Sequence, residues 1–367
     1  MKNMFSNQTG KYLPATILAI ASSLMLSCSP KGSTFSIMAQ NQNFSQSAAT
    51  INNKIDILWV VDNSNSMDPL QQNLIQNFNT FIGNFQNQGF DFNMAVTTTD
   101  AYLQGPTYNN YPMLAHVRDG VGNFHTGYYY ITPLIPNIVT NFVTNADQGA
   151  TGSGDERAFQ SMLDTLNSPL NAGFPRPGAF LAVIILSDED DFTDYSRPEL
   201  SWLKGGRADH DYTNPNLMPV DQVIQQLDQL TASTSTRRNY NVSSMTVLDS
   251  ACQQQHAQQS AVTIVGARYK ELAQKTAGIL GSICDSSYAN SLNFIQKQII
   301  NLATEFRLGR IPDPASITVS VNGVLVLQDA NNGWTYDSVA NAIAFHGTAI
   351  PPVSAAIGVN FTPTTIE

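Results

Sequence analysis

The stretch ILWVVDNSNSMD, residues 57–68, decides how this chain is read. Its five leading residues are apolar and run straight into Asp62, the pattern of a strand buried on both faces. Asp68-Pro69 then sets a proline where a helix begins. Leu70, Leu74, Phe78, Phe81 and Phe85 follow at three- and four-residue spacing, one apolar stripe of a helix that Gly89 closes. Between strand and helix, Asp62, Ser64 and Ser66 alternate, so a tight loop can turn three side-chain oxygens toward one centre. One carboxylate and two hydroxyls are hard donors, suited to Mg²⁺, Mn²⁺ or Ca²⁺ and unsuited to zinc. Asp and Ser are also common turn and cap residues, so the motif gains weight only from its position.

The same grammar continues along the chain. Residues 91–98 read as a strand, and 153–166 as a helix with Ala158, Phe159, Met162, Leu163 and Leu166 on its inner side. An unbroken apolar strand follows at 179–186, then a helix at 220–230 and a strand at 243–248. A helix at 268–277, a short strand at 279–283 and a helix at 290–306 complete the series. Strands alternating with helices predict an α/β fold, a doubly wound, mostly parallel Rossmann-like sheet flanked by helices. Residues 102–150 break the pattern with Tyr, Asn, Gly and Pro. They read either as a recognition surface or as tyrosines packed around a β-hairpin.

After residue 312 the period changes to two. Residues 317–327 alternate around Asn322-Gly323, a strong hairpin signal, and 342–347 and 355–361 read as further strands. A piece of about 55 residues makes a marginal core alone. This small C-terminal all-β module, 312–367, is therefore expected to pack on the α/β domain, 54–311. A strand borrowed from residues 34–48, within the Ser- and Gln-rich tether 28–53, would complete it.

The 367 residues carry a net charge of −10, which argues against nucleic-acid backbones and anionic membrane surfaces as main partners. Lys2, Lys11 and the apolar run 13–26 read as an export signal, too short for the about 20 residues of a membrane span. LMLSC, ending at Cys28, resembles a bacterial lipobox. Residues 1–27 would then be removed, and Cys28 acylated as the membrane contact. Ser29 after it points to the outer membrane of a Gram-negative cell, facing periplasm or surface. Of three cysteines, Cys252 and Cys284 remain, an even pair suited to a disulfide in an oxidising compartment; two buried thiols are the alternative.

In doubly wound sheets ligands collect at the carboxyl ends of strands. A second apolar strand ends in ILSDEDD, residues 185–191, which sets Asp188 beside the first loop. The acidic run Asp188–Glu189–Asp190–Asp191 reads as one metal-facing Asp with solvated neighbours, or as a second cation site.

KIDILWVVDNSNSM, residues 54–67, resembles the opening strand and metal loop of von Willebrand factor type A domains. The stretch from GSGDERAF to ILSDEDDFT resembles a bacterial lipoprotein subgroup of that family, over residues 54–306. The resemblance implies a metal-ion-dependent adhesion site built from Asp62, Ser64, Ser66 and Asp188, with a hydroxyl from a third loop. The family's spacing counted back from Ala158 lands on Ser153, with Thr151 as the alternative; Ser153-x-x-Glu156 also reads as a capping box. The implied cofactor is a divalent cation, first of all Mg²⁺. The implied partner is a protein or glycan that gives the metal a carboxylate or other oxygen.

An adhesion or ligand-binding protein of the envelope is thus expected, with an assembly scaffold as the alternative use of the same site. A metal-dependent hydrolase using Asp62 or the 188–191 acids is the reading from another class. Against it, there is no Gly-x-Ser-x-Gly elbow. The five histidines, at 116, 125, 210, 256 and 346, have no metal-ligand spacing and read as surface or loop residues, so no enzyme is expected.

Overall fold

A computed structural model describes residues 44–50, 54–87, 90–104, 116–194, 211–234, 238–258, 263–352 and 355–364. The proposed signal, Cys28 and residues 34–43 of the stretch expected to lend a strand lie outside these residues. The chain opens with β1 (Phe44–Thr50), β2 (Lys54–Val61), α1 (Asp68–Asn87) and β3 (Asp91–Thr98). The stretch expected to be irregular holds a small hairpin, β4 (Gly120–Val121) and β5 (Phe124–His125), and a helix, α2 (Ile138–Ala146). Then come α3 (Ala158–Asn167), β6 (Phe180–Leu186), α4 (Val220–Leu230), β7 (Tyr240–Thr246) and α5 (Ser250–His256). The α/β series ends with α6 (Ala267–Lys275), β8 (Leu280–Ser282) and α7 (Ala289–Thr304).

β3, β2, β6, β7 and β8 form, in that order, one parallel five-stranded sheet with helices on both faces. The pleat sorts β2 between two cores. Ile55, Ile57, Trp59 and Val61 meet α1, α2 and α7, while Leu58 and Val60 meet α3, α4 and α6. This is why the strand has no polar face in sequence: water reaches neither side. Each side chain of this size contributes about 1.5–3 kcal/mol on full burial. Trp59 sits at the centre, edge-on to Phe81 and Phe142 at 5.1 and 5.4 Å between ring centroids. Asp56, the strand's one buried acid before the loop, pairs with Arg176 at 2.8 Å at the opposite end of the sheet.

The remaining strands are β9 (Phe306–Arg307), β10 (Thr318–Val321), β11 (Val324–Val326), β12 (Trp334–Asp337), β13 (Ala342–Phe345) and β14 (Ala356–Phe361). β1, β14, β10 and β11 make an antiparallel sheet, and β12, β13 and β9 another. β10 and β11 pair Val321 with Val324 across Asn322 and Gly323. Both turn residues have positive φ, 51° and 80°, as a two-residue hairpin demands. β1 lies against β14 from Phe44–Phe361 to Thr50–Ala356, so the two ends of the described chain share one sheet. Ile350 packs against both the β core and the α1–α7 side of the main sheet.

Candidate functional site

Register sets the site. Val61 of β2 lies opposite Thr98 of β3 and Leu186 of β6, and Leu186 lies opposite Met245 of β7. Three strands therefore end level, with β7 running one residue further, and Asp62 and Asp188 leave adjacent strand ends on the same edge. The Asp62 amide donates to the Leu186 carbonyl at 2.9 Å, and the Ser187 amide to Met245 at 3.1 Å. Asp62 is fully buried. Its Oδ1 accepts from the Ser64 amide at 2.8 Å, and its Oδ2 from the Ser187 hydroxyl at 2.7 Å. The Ser64 and Ser66 hydroxyls stand 3.3 Å apart, with Ser64 buried and Ser66 half-buried.

Burial, and next the Asp188 carboxylate, push Asp62 up to about 8; Glu189 adds in the same direction. Hydrogen bonds from Ser64 and Ser187 oppose this and do not win. Two carboxylates in one dry place keep a proton unless a positive charge joins them.

The third loop is docked by Gln71, which sits on the apolar stripe of α1 and is buried. Its Nε2 donates to the carbonyls of Asp62 and Gly149, both at 2.8 Å, and its Oε1 accepts from the Gln148 amide at 3.0 Å. The Gly152 amide donates to the Asn63 carbonyl at 2.7 Å. A Cβ on Gly152 would lie 2.3 Å from the Asn63 side chain, so this approach needs glycine. Ser153 is buried and Thr151 exposed. The Ser153 amide donates to Asp100 at 3.3 Å, and its Oγ accepts from the Asp155 amide at 3.0 Å.

The expected capping box is not formed, because α3 starts at Ala158 and not near Ser153. Asp191 and Thr193 cap it from across the sheet instead. Asp191 Oδ2 accepts from the Phe159 amide at 2.8 Å and Thr193 Oγ1 from the Gln160 amide at 3.1 Å. Glu156, the other half of that box, is fully buried, and neither of its oxygens completes a hydrogen bond of ordinary geometry although Thr99 lies beside them. Burial first and the Asp62 charge second raise its pKa well above the usual carboxylate range.

The acidic run also differs from the sequence expectation. Glu189, Asp190 and Asp191 are buried, not solvated. Asp190 accepts from the Arg268 amide at 3.0 Å, at the start of α6. Asp190 and Asp191 thus serve helix N-termini, where backbone amides replace water. His256 departs from expectation too: it is buried, and its Nε2 lies 2.8 Å from Asp188 Oδ2. The other oxygen, Asp188 Oδ1, is buried with no hydrogen-bond partner among the described residues. No local spacing in sequence announces this pair, since α5 reaches the loop only through the fold. Gln71 alone left a signal, as a polar residue on an apolar stripe.

Cys252 and Cys284 form a disulfide. Among the described residues no three or more His, Cys, Asp and Glu are grouped so as to hold a metal. Any cation here would depend on serine hydroxyls and water beside one or two carboxylates, a hard and weakly anionic donor set. Asp62, Ser64, Ser66 and the open Asp188 Oδ1 fit that chemistry. Ser153 is held nearby through Gly152 and Asn63. Among the described residues no helix is long and apolar enough to cross a membrane.

No protein-family model matches the chain, and no curated protein matches it. Similar solved structures include the open conformation of the pilus adhesin SpaC from Lactobacillus rhamnosus GG. It is 11% identical with a TM-score of 0.39, over 86% of this chain and 40% of that one. Proximal thread matrix protein 1 from the mussel byssus is 12% identical with a TM-score of 0.36, over 73% of this chain and 52% of that one. The chain spans less than two thirds of either protein.

Proposed function

We propose that this is a von Willebrand factor type A domain protein of the bacterial envelope, which binds an acidic or oxygen-rich group of a partner through a divalent cation. One observation carries the reading: Asp62, with its two serines, and Asp188 stand at adjacent strand ends, and the buried Asp188 Oδ1 has no partner among the described residues. Asp62, Ser64 and Ser66 would hold the ion, with Asp188 and Ser153 completing its surroundings. A cation with so few anionic ligands stays electrophilic and takes an oxygen from outside, a carboxylate first of all; Mg²⁺ suits the hydroxyl-weighted set best. The chain's own part is to hold these oxygens still. Ser187 fixes Asp62, Gln71 fixes the neighbouring loop, and His256 fixes Asp188. The protein would be a binding protein and not an enzyme, anchored by lipid at Cys28 to the outer membrane.

The test is thermal unfolding with and without Mg²⁺ or Mn²⁺. The cation should raise the melting temperature of the wild type and leave Asp62→Ala unmoved. An equal rise in the variant would remove the site. A companion pull-down from envelope fractions, with and without EDTA, would identify the partner.

A further inference from the structure

The short helix α5 joins His256 to a disulfide that the binding reading does not use. Cys252 and His256 lie one turn apart, on one face of it. Cys252 is tied to Cys284, just beyond the edge strand β8, and His256 reaches Asp188 at 2.8 Å. His256 Nε2 and Asp188 Oδ2 lie within hydrogen-bond distance, and the imidazole tautomer with its proton on Nε2 can donate to a carboxylate there. That bond occupies Oδ2 and leaves Oδ1 as the open, buried oxygen.

α5 has only seven residues, too few to be stable alone. Its holds include the disulfide, the Asp249 cap on the Cys252 amide at 2.9 Å, the Gln253 bond to the Thr263 carbonyl at 2.9 Å, and His256 itself. The disulfide is the one covalent hold among them. Asp188 is in turn tied to the same loop, its carbonyl accepting from the Ile264 amide at 3.2 Å.

We infer that His256 is a positioning residue for Asp188, and that the Cys252–Cys284 disulfide sets the site's cation affinity by holding α5 in place. This rests on the metal reading above and adds its regulation. Opening the bond requires a dithiol: it gives up two electrons and two protons, closes to its own disulfide, and leaves Cys252 and Cys284 as thiols. α5 then loses its covalent hold, His256 its fixed reach, and Asp188 its orientation. Partners of this kind behind a metal-binding carboxylate change affinity without touching the ion.

The experiment is a Mn²⁺ titration by calorimetry of the full chain, with circular dichroism as the check on folding. His256→Leu should weaken Mn²⁺ about tenfold, while His256→Gln, which keeps a donor at similar reach, should stay within about threefold of wild type. The double variant Cys252→Ala, Cys284→Ala should weaken Mn²⁺ as His256→Leu does, and adding it to His256→Leu should cost nothing more. If the double variant does not fold, reduced wild type and reduced His256→Leu, freed of dithiol under anaerobic conditions, make the same comparison. Equal additional losses in both backgrounds, or no rescue by His256→Gln, would overturn the inference and leave the metal site standing. Failure of oxidised wild type to bind Mn²⁺ in an Asp62-dependent way would overturn both.

Discussion

The Ser187 hydroxyl donates to Asp62 Oδ2 at 2.7 Å, joining the first residue beyond β6 to the first residue beyond β2. The same hydroxyl accepts from the Glu189 amide at 3.2 Å, so one small side chain shapes both loops at the sheet edge. Both bonds are buried, where an unmade bond costs the full desolvation of the group left behind.

Ser187→Ala should therefore destabilise the protein by about 1–3 kcal/mol, the cost of stranding buried polar groups. Urea unfolding measures it. A change within error would mean that the two loops hold their shape without this bond.

Gln71→Leu keeps the volume and the apolar stripe of α1 but strands the Asp62 and Gly149 carbonyls and the Gln148 amide. The expected loss is about 2–3 kcal/mol for these three bonds. The Gly152 amide, bonded to Asn63, should exchange its hydrogen faster in the variant. Unchanged exchange there would show that something other than Gln71 docks the third loop.

Asp191→Ala removes the acceptor for the Phe159 and Thr193 amides and the partner of Arg268, 3.5 Å away. A loss of about 3 kcal/mol is expected for breaking a buried charged contact. Asp191→Asn, whose carbonyl can still accept at the start of α3, should lose less. Equal losses would mean that charge, and not the cap, is what counts.

The pH dependence has a definite sign. Asp62 is raised to about 8, by burial and then Asp188, and Asp190 to about 7, by burial, both from 3.8. Between about pH 4 and pH 8 the folded chain therefore holds protons that the unfolded chain has released, and stability falls as pH rises through this window. In EDTA the melting temperature should be higher near pH 5 than near pH 8. On the proposed reading a cation would take the proton's place, so saturating Mg²⁺ should flatten that fall. A melting temperature that rises with pH in EDTA would contradict the assignment.

Much of the fold is legible in order along the chain. The apolar run before Asp62, the Phe78–Phe81–Phe85 stripe and the run 180–186 each record burial that any packing of these segments must satisfy. Asn322-Gly323 records a backbone conformation few residue pairs accept. The irregular composition of residues 102–150 hid α2, whose apolar face is short. The start of α3 at Ala158 is not legible in the sequence, because its caps, Asp191 and Thr193, come from another loop and leave no trace beside Ser153.

The candidate site divides the same way. The spacing of Asp62, Ser64 and Ser66 is a local property, and the sequence alone determined that three oxygen donors follow a buried strand. Nothing local determined that Asp188 stands beside them with one oxygen held by His256, that Gln71 pins the third loop, or that Asp190 and Asp191 are buried as caps. Those facts depend on parallel register, which brings strand ends together from residues 62 and 188, and on burial, which turns neighbouring carboxylates into a demand for a proton or a cation. Local chemistry specified the donors, and only the sheet decided what faces them.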